Sequence, residues 1–122
     1  MGWGKDFFDK HMEYIYAGDI DGMIDAQYAE DAILLSPFDC VTDAKPPHIV
    51  RGRKALKDFF KKYMAWQGGI KVESLYCFTE TDKTIQFQAV FTSNTGKWVV
   101  GDGWYMKDGM IVYHASFAHK IG

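Results

Sequence analysis

Residues 98–119 (WVVGDGWYMKDGMIVYHASFAH) constrain this chain more than any other stretch. Two apolar arms flank Lys107-Asp108-Gly109, and Asp-Gly between such arms is a strong hairpin signal. Successive strand side chains point to opposite faces, so Trp98, Val100, Asp102, Trp104 and Met106 share one face. Val99, Gly101, Gly103 and Tyr105 share the other, where two glycines indicate a bend or a close approach. A carboxylate set between a valine and tryptophans is the least ordinary feature of the sequence. It predicts a pocket.

The hairpin can close in two ways. A two-residue type I′ turn at Asp108-Gly109 pairs Lys107 with Met110 and sets Asp102 opposite Ala115. A type I turn ending in a left-handed glycine bulge pairs Met106 with Met110 instead. Asp102 then faces His114, Trp104 faces Val112 and Val100 faces Ser116. The second register gathers the polar side chains on one inner face, where each lowers the cost of burying the others. It is the register expected here, and it predicts Asp102 and His114 within hydrogen-bond reach.

Upstream, apolar spacing predicts a first helix over 5–17 with Phe8, Met12 and Ile15 as its stripe and His11 at the stripe's edge. Gly18 stops it, and Asp19 is a good N-cap for a second helix to about residue 27. Residues 32–36 (AILLS), ended by Pro37, read as a buried strand. A long irregular loop follows over 38–48, with His48 in it, and 49–51 pair briefly with a neighbour. The clearest helix spans 53–67, its apolar face made by Leu56, Phe59, Phe60 and Tyr63. Strands over 71–79, 84–93, 97–106 and 110–119 complete the chain. Three helices before a meandering antiparallel sheet make one α+β domain of 122 residues.

The totals exclude some classes. A net charge of −2 and the absence of a basic cluster argue against nucleic acid. No apolar run reaches the roughly 20 residues that cross a bilayer. The N-terminus lacks a signal-peptide core, and two cysteines, Cys40 and Cys77, make no disulfide framework. A cytoplasmic setting with both thiols free is expected. His114 and His119 are five apart, so a regular strand points them to opposite faces; no metal site is expected. No glycine-rich phosphate loop follows a strand, and no cofactor is expected.

The order of these elements resembles the nuclear transport factor 2-like superfamily. The residues that carry the resemblance are Ala17-Gly18-Asp19-Ile20-Asp21-Gly22 and Tyr28-Ala29-Glu30-Asp31-Ala32, with Pro37 ending the strand. Gly52-Arg53-Lys54-Ala55-Leu56 before Phe59-Phe60 and the Asp102-x-Trp104 to Asp108-Gly109 hairpin extend it over nearly the whole chain. The resemblance implies a cone-shaped barrel: a curved, mainly antiparallel sheet whose concave face the three helices cover. It also implies a homodimer through the convex face, where Tyr76, Phe78 and Tyr105 have no assured place inside. Ketosteroid isomerase-like members carry a base Asp where this chain has Ser36. Their oxyanion pair falls on His11 and Asp102. SnoaL-like polyketide cyclases resemble the last hairpin, with His114 in their Glu-His-Trp-Asp run and Ser116 in place of their catalytic Asp.

Two functions compete at this stage. One is isomerase, cyclase or hydratase chemistry on a small apolar substrate by general acid/base catalysis, with Asp102 as the acid/base and His114 and His11 as partners. A carboxyl in an apolar cavity suits that work because desolvation disfavours its charged form. Phe8, Met12, Tyr14, Phe59, Tyr63, Trp66, Trp98, Trp104 and Ser116 are the expected walls. The alternative is a non-catalytic domain of the same fold that holds a hydrophobic molecule, favoured by the serines at 36 and 116.

Overall fold

The computed structural model describes residues 2–38 and 48–122. Helix α1 (Trp3–Ala17) buries Gly4, Phe8, His11 and Ile15 along one stripe. His11 therefore lies within the stripe, not at its edge. Glu80 lays its carboxylate on the exposed N-terminus of α1, accepting from Gly4 N–H at 2.8 Å. Asp19 caps α2 (Ile20–Gln27) by accepting from Gly22 N–H at 2.9 Å. Salt bridges Lys57–Asp25 (2.9 Å) and Lys61–Asp21 (2.8 Å) join α2 to the polar side of α3 (Arg53–Gln67).

Strand β1 (Tyr28–Ser36) begins directly where α2 ends, four residues before the expected start. Arg53 fixes that junction, its Nε donating to the Tyr28 carbonyl at 2.9 Å. Strand β2 (His48–Arg51) pairs antiparallel with β1, and His48 is buried opposite Ser36. His48, expected as the last residue of the loop, is thus the first residue of a strand. Residues 39–47 of the expected loop, with Cys40, lie outside the described residues.

Strands β3 (Lys71–Glu80), β4 (Thr84–Ser93), β5 (Gly96–Lys107) and β6 (Met110–Lys120) follow as an antiparallel meander. The sheet order is β2-β1-β6-β5-β4-β3, mixed because β1 runs parallel to β6. It does not close, and β2 and β3 are its edges. The core lies between its inner face and the helices, where Phe8, Leu56, Phe59 and Phe60 meet Ile85, Phe87, Trp104 and Ile111. Buried Gln67 ties the end of α3 to the β4–β5 turn, accepting from the hydroxyls of Ser93 and Thr95.

The hairpin closes in neither expected register. Asp108 (φ 54°) and Gly109 (φ 77°) both adopt left-handed backbone, the signature of a type I′ turn, and Lys107 pairs with Met110. Left alone, that turn would point His114 outward. Val112 has no partner on β5, because Met106 pairs with Ile111 and Tyr105 with Tyr113. This one-residue bulge rephases β6, so Trp104 lies opposite His114 and Asp102 opposite Ser116. The extra residue sits on the second strand, not in the turn. The face is the one expected, and the partners are shifted by one pair.

A second bulge corrects another expectation. Cys77 adopts φ 55° where β3 slips against β4 between Tyr76 and Thr79. Phe78 is thereby turned inward, edge-on to Phe8 at 5.8 Å and stacked with Phe87 at 6.1 Å between ring centres. It is a wall of the core and no part of the outer face.

Candidate active site

A cavity of about 120 Å³ lies between α1, α3 and the inner face of the sheet. Its lining is mostly aromatic and aliphatic, and includes Phe8, Met12, Phe59, Tyr63, Trp104 and Ser116 of the expected walls. Asp102, His114 and His11 all reach it, from β5, β6 and α1 respectively. Three expected wall residues do not. Tyr14 sits toward the outside of α1, with the Lys10 ammonium 5.3 Å from its ring centre. Trp66 and Trp98 stand behind the lining residues Phe38 and Tyr63 as a second aromatic layer. Ser36, considered in the sequence only as a missing carboxylate, is on the lining.

At the floor, three side chains form a hydrogen-bonded row. His114 Nε2 lies 2.7 Å from Asp102 Oδ1, and His114 Nδ1 lies 2.9 Å from the Tyr28 hydroxyl. Asp102 and His114 meet diagonally across the strand pair, which long side chains can span. The direction of the row follows from Tyr28. Its ring is fully buried, and burial first, then the Asp102 charge, pushes the phenol well above its ordinary range. It keeps its proton, and His114 Nδ1 is the acceptor placed to receive it. A neutral imidazole then donates from Nε2 to the Asp102 carboxylate. One carboxylate oxygen is held in this way, and the Asp102 side chain retains 17% of its exposure on the cavity side.

His11 is organised separately. Its Nδ1 lies 2.9 Å from Gln27 Oε1, and Gln27 Nε2 donates to the Phe7 carbonyl at 3.2 Å. Burial is the main cause that lowers the His11 pKa to about 4, against a smaller raising effect of the Gln27 hydrogen bond. The ring is neutral at ordinary pH. It packs tilted on Trp104 with centres 4.7 Å apart. Trp104 itself is hemmed in by Phe7, Phe8, Phe87 and His114, and its buried Nε1 has no hydrogen-bond partner among the described residues.

Sequence reasoning missed Tyr28 and Gln27. Ala32, Leu34 and Ser36 alternate inward, but exposed Glu30 and a register shift between Tyr28 and Ile33 separate Tyr28 from them, so strand spacing gave it no clean signal. Gln27 carried none, since a glutamine at a helix end is ordinarily solvated. The two serines are tied to backbone. Ser116 Oγ donates to the Leu35 carbonyl at 3.4 Å, and Ser36 Oγ accepts from Phe38 N–H at 3.3 Å.

No family model and no curated protein matches the sequence. Solved structures do. A nuclear transport factor 2-like protein from Anabaena variabilis aligns at a TM-score of 0.80 and 16% identity, covering 100% of this chain and 96% of that one. IdmH of Streptomyces antibioticus, described as a candidate polyketide cyclase, aligns at 0.72 and 14% identity, over 96% and 92% of the two chains. A candidate isomerase from Bacillus subtilis aligns at 0.68 and 20%, over 95% and 86%. The chain has the nuclear transport factor 2-like α+β fold. At these identities the likeness is one of fold, and fold alone does not assign chemistry.

Proposed function

We propose that the protein is a cofactor-free acid/base enzyme of the isomerase, cyclase or hydratase kind, acting on a small, largely apolar substrate. The observation that carries this reading is the row Tyr28–His114–Asp102, which ends in a carboxylate at an apolar cavity. Asp102 is the base. Its unheld oxygen takes a proton from an acidic C–H or O–H of the bound substrate and returns it at a second position. His114 holds the other oxygen in place, and Tyr28 fixes the imidazole in the tautomer that does so. Such positioning of a general base is worth about 10²- to 10⁴-fold in rate. The apolar walls exclude water and strengthen every charge interaction inside. The likeness in fold to a candidate cyclase and a candidate isomerase is consistent with this chemistry.

Proton exchange tests it without knowledge of the natural substrate. 2-Tetralone, a bicyclic ketone with acidic C–H bonds, is incubated with the protein in D₂O and followed by NMR. Exchange faster than the buffer rate is expected, falling at least 100-fold in Asp102→Asn and less steeply in His114→Gln. A second reading, a hydrophobic-ligand carrier, is favoured by one observation: serines, not carboxylates, stand at 36 and 116, and each is hydrogen-bonded to backbone, Ser116 as donor and Ser36 as acceptor. Tight binding of 2-tetralone with exchange at the buffer rate would decide for the carrier.

A further inference from the structure

We propose that the cavity selects ligands bearing an O–H or N–H donor, and that the lone pair on His11 Nε2 is the acceptor that recognises it. The inference starts at Phe7, whose carbonyl can only accept. Gln27 must therefore turn its NH₂ toward Phe7 and its oxygen toward His11, the orientation seen at 3.2 and 2.9 Å. An amide oxygen can only accept, so His11 Nδ1 carries the proton and Nε2 is bare. His11 is 94% buried (6% exposed), it lines the cavity, and Nε2 has no protein partner among the described residues. The groups that face the ring are Gln27, Trp104 and Tyr28 at closest range, with His114 and the Asp102 carboxylate beyond them. None of these supplies Nε2 with a proton.

The other polar groups on the lining sharpen the selection. Asp102 is an acceptor as well, because His114 donates to it. Ser116 commits its hydrogen to Leu35, the Tyr63 hydroxyl accepts from Gln67, and Ser36, which accepts from Phe38 N–H, keeps a hydrogen for a ligand oxygen at its own end of the cavity. A ligand oxygen without a hydrogen would set acceptor against acceptor at Nε2 and leave that lone pair without a partner in the bound state. Sites built around one fixed hydrogen-bonding group discriminate strongly against analogues that cannot pair with it. This is the reverse of an oxyanion site, which the resemblance to ketosteroid isomerases had assigned to His11. A hydroxylated ring compound fits the polarity; the cavity of about 120 Å³ encloses no more than one ring, since about 150 Å³ holds a benzene-sized molecule, and a second ring would lie at the open mouth.

The inference rests on the cavity being the binding site proposed above and is independent of whether Asp102 is a base. Its test is calorimetric binding of 6-hydroxy-2-tetralone, 6-methoxy-2-tetralone and 2-tetralone to the intact protein, read alongside the exchange assay. The hydroxy compound is expected to bind at least tenfold tighter than the methoxy compound, and His11→Phe is expected to abolish that preference. Equal affinities in the wild type, or a preference that survives in His11→Phe, would overturn the inference. Long-range ¹H–¹⁵N NMR of the wild type supplies a readout that needs no variant: His11 should show a protonated Nδ1 and a bare Nε2, and the opposite tautomer would also overturn it. A hydroxyl preference without proton exchange removes the enzyme reading and leaves this one standing. Absence of binding by all three compounds removes both.

Discussion

His11 and Tyr28 are buried titratable groups, and each makes a prediction of its own. The His11 pKa is lowered from 6.5 to about 4, chiefly by burial. Between those values the unfolded chain binds a proton that the folded chain does not, so folding weakens as pH falls. The contribution is complete above about pH 6.5 and lost by about pH 4, amounting to about 3 kcal/mol. Urea unfolding of wild type and His11→Gln at pH 7.5 and pH 4 isolates this part from the carboxylates, since only the wild type should carry the extra slope. Identical slopes would show that His11 is not held neutral. Tyr28→Phe keeps the ring and removes the hydroxyl, leaving His114 Nδ1 buried without a donor. A loss of about 1–3 kcal/mol is expected in the same assay.

At the scale of elements, the strands and α3 were legible because their apolar spacing is clean: Leu56, Phe59 and Phe60 are buried as the helical period required. What escaped notice were single-residue departures from regular spacing. Val112 reads like any other strand valine, yet its lack of a partner turns His114 inward. Cys77 reads like a strand residue on one face, yet its backbone moves Phe78 to the other. Bulges depend on how two strands meet, and a one-residue slip inverts every side chain beyond it. The site was therefore read in part: Asp102, His114 and His11 from their odd company, but not Tyr28, whose partner lies on a distant strand. Deleting Val112 removes the unpaired residue and leaves Met106–Ile111, Tyr105–Tyr113 and Trp104–His114 in one regular register, so His114 stays on the inner face. The cooperative thermal transition is expected to survive the deletion, whereas Gly109→Ala, which forces a left-handed backbone on a side chain, should cost about 1–2 kcal/mol. A deletion variant that lost its cooperative transition would refute the reading of Val112 as the extra residue.

The whole molecule presents an outer sheet face that the helices leave uncovered. Its central rows are Thr84–Tyr105–Tyr113, Gln86–Gly103–Ala115, Gln88–Gly101–Phe117 and Val90–Val99–His119 across β4, β5 and β6. None of these positions holds Asp, Glu, Lys or Arg, although a quarter of the chain is charged. Tyr105 (46%), Tyr113 (44%) and Phe117 (53%) stand exposed there, with Tyr76 beside them on β3. Phe117 lies flat on Gly101, where a Cβ would collide with its ring, so the face stays low and continuous. Exposed aromatic surface without charges is the composition of an interface core. Two identical faces related by a twofold axis would bury it without any other partner, which is the commonest way such surfaces are used. We therefore expect a homodimer through this face, resting on Tyr105, Tyr113 and Phe117 and not on Phe78. Sedimentation at micromolar concentration should give twice the 14.0 kDa chain mass. Tyr113→Glu places a charge in the centre of the face, far from the cavity, and should give a folded monomer with its thermal transition retained. A wild-type monomer at that concentration, or a dimer indifferent to Tyr113→Glu, would remove this face as the contact.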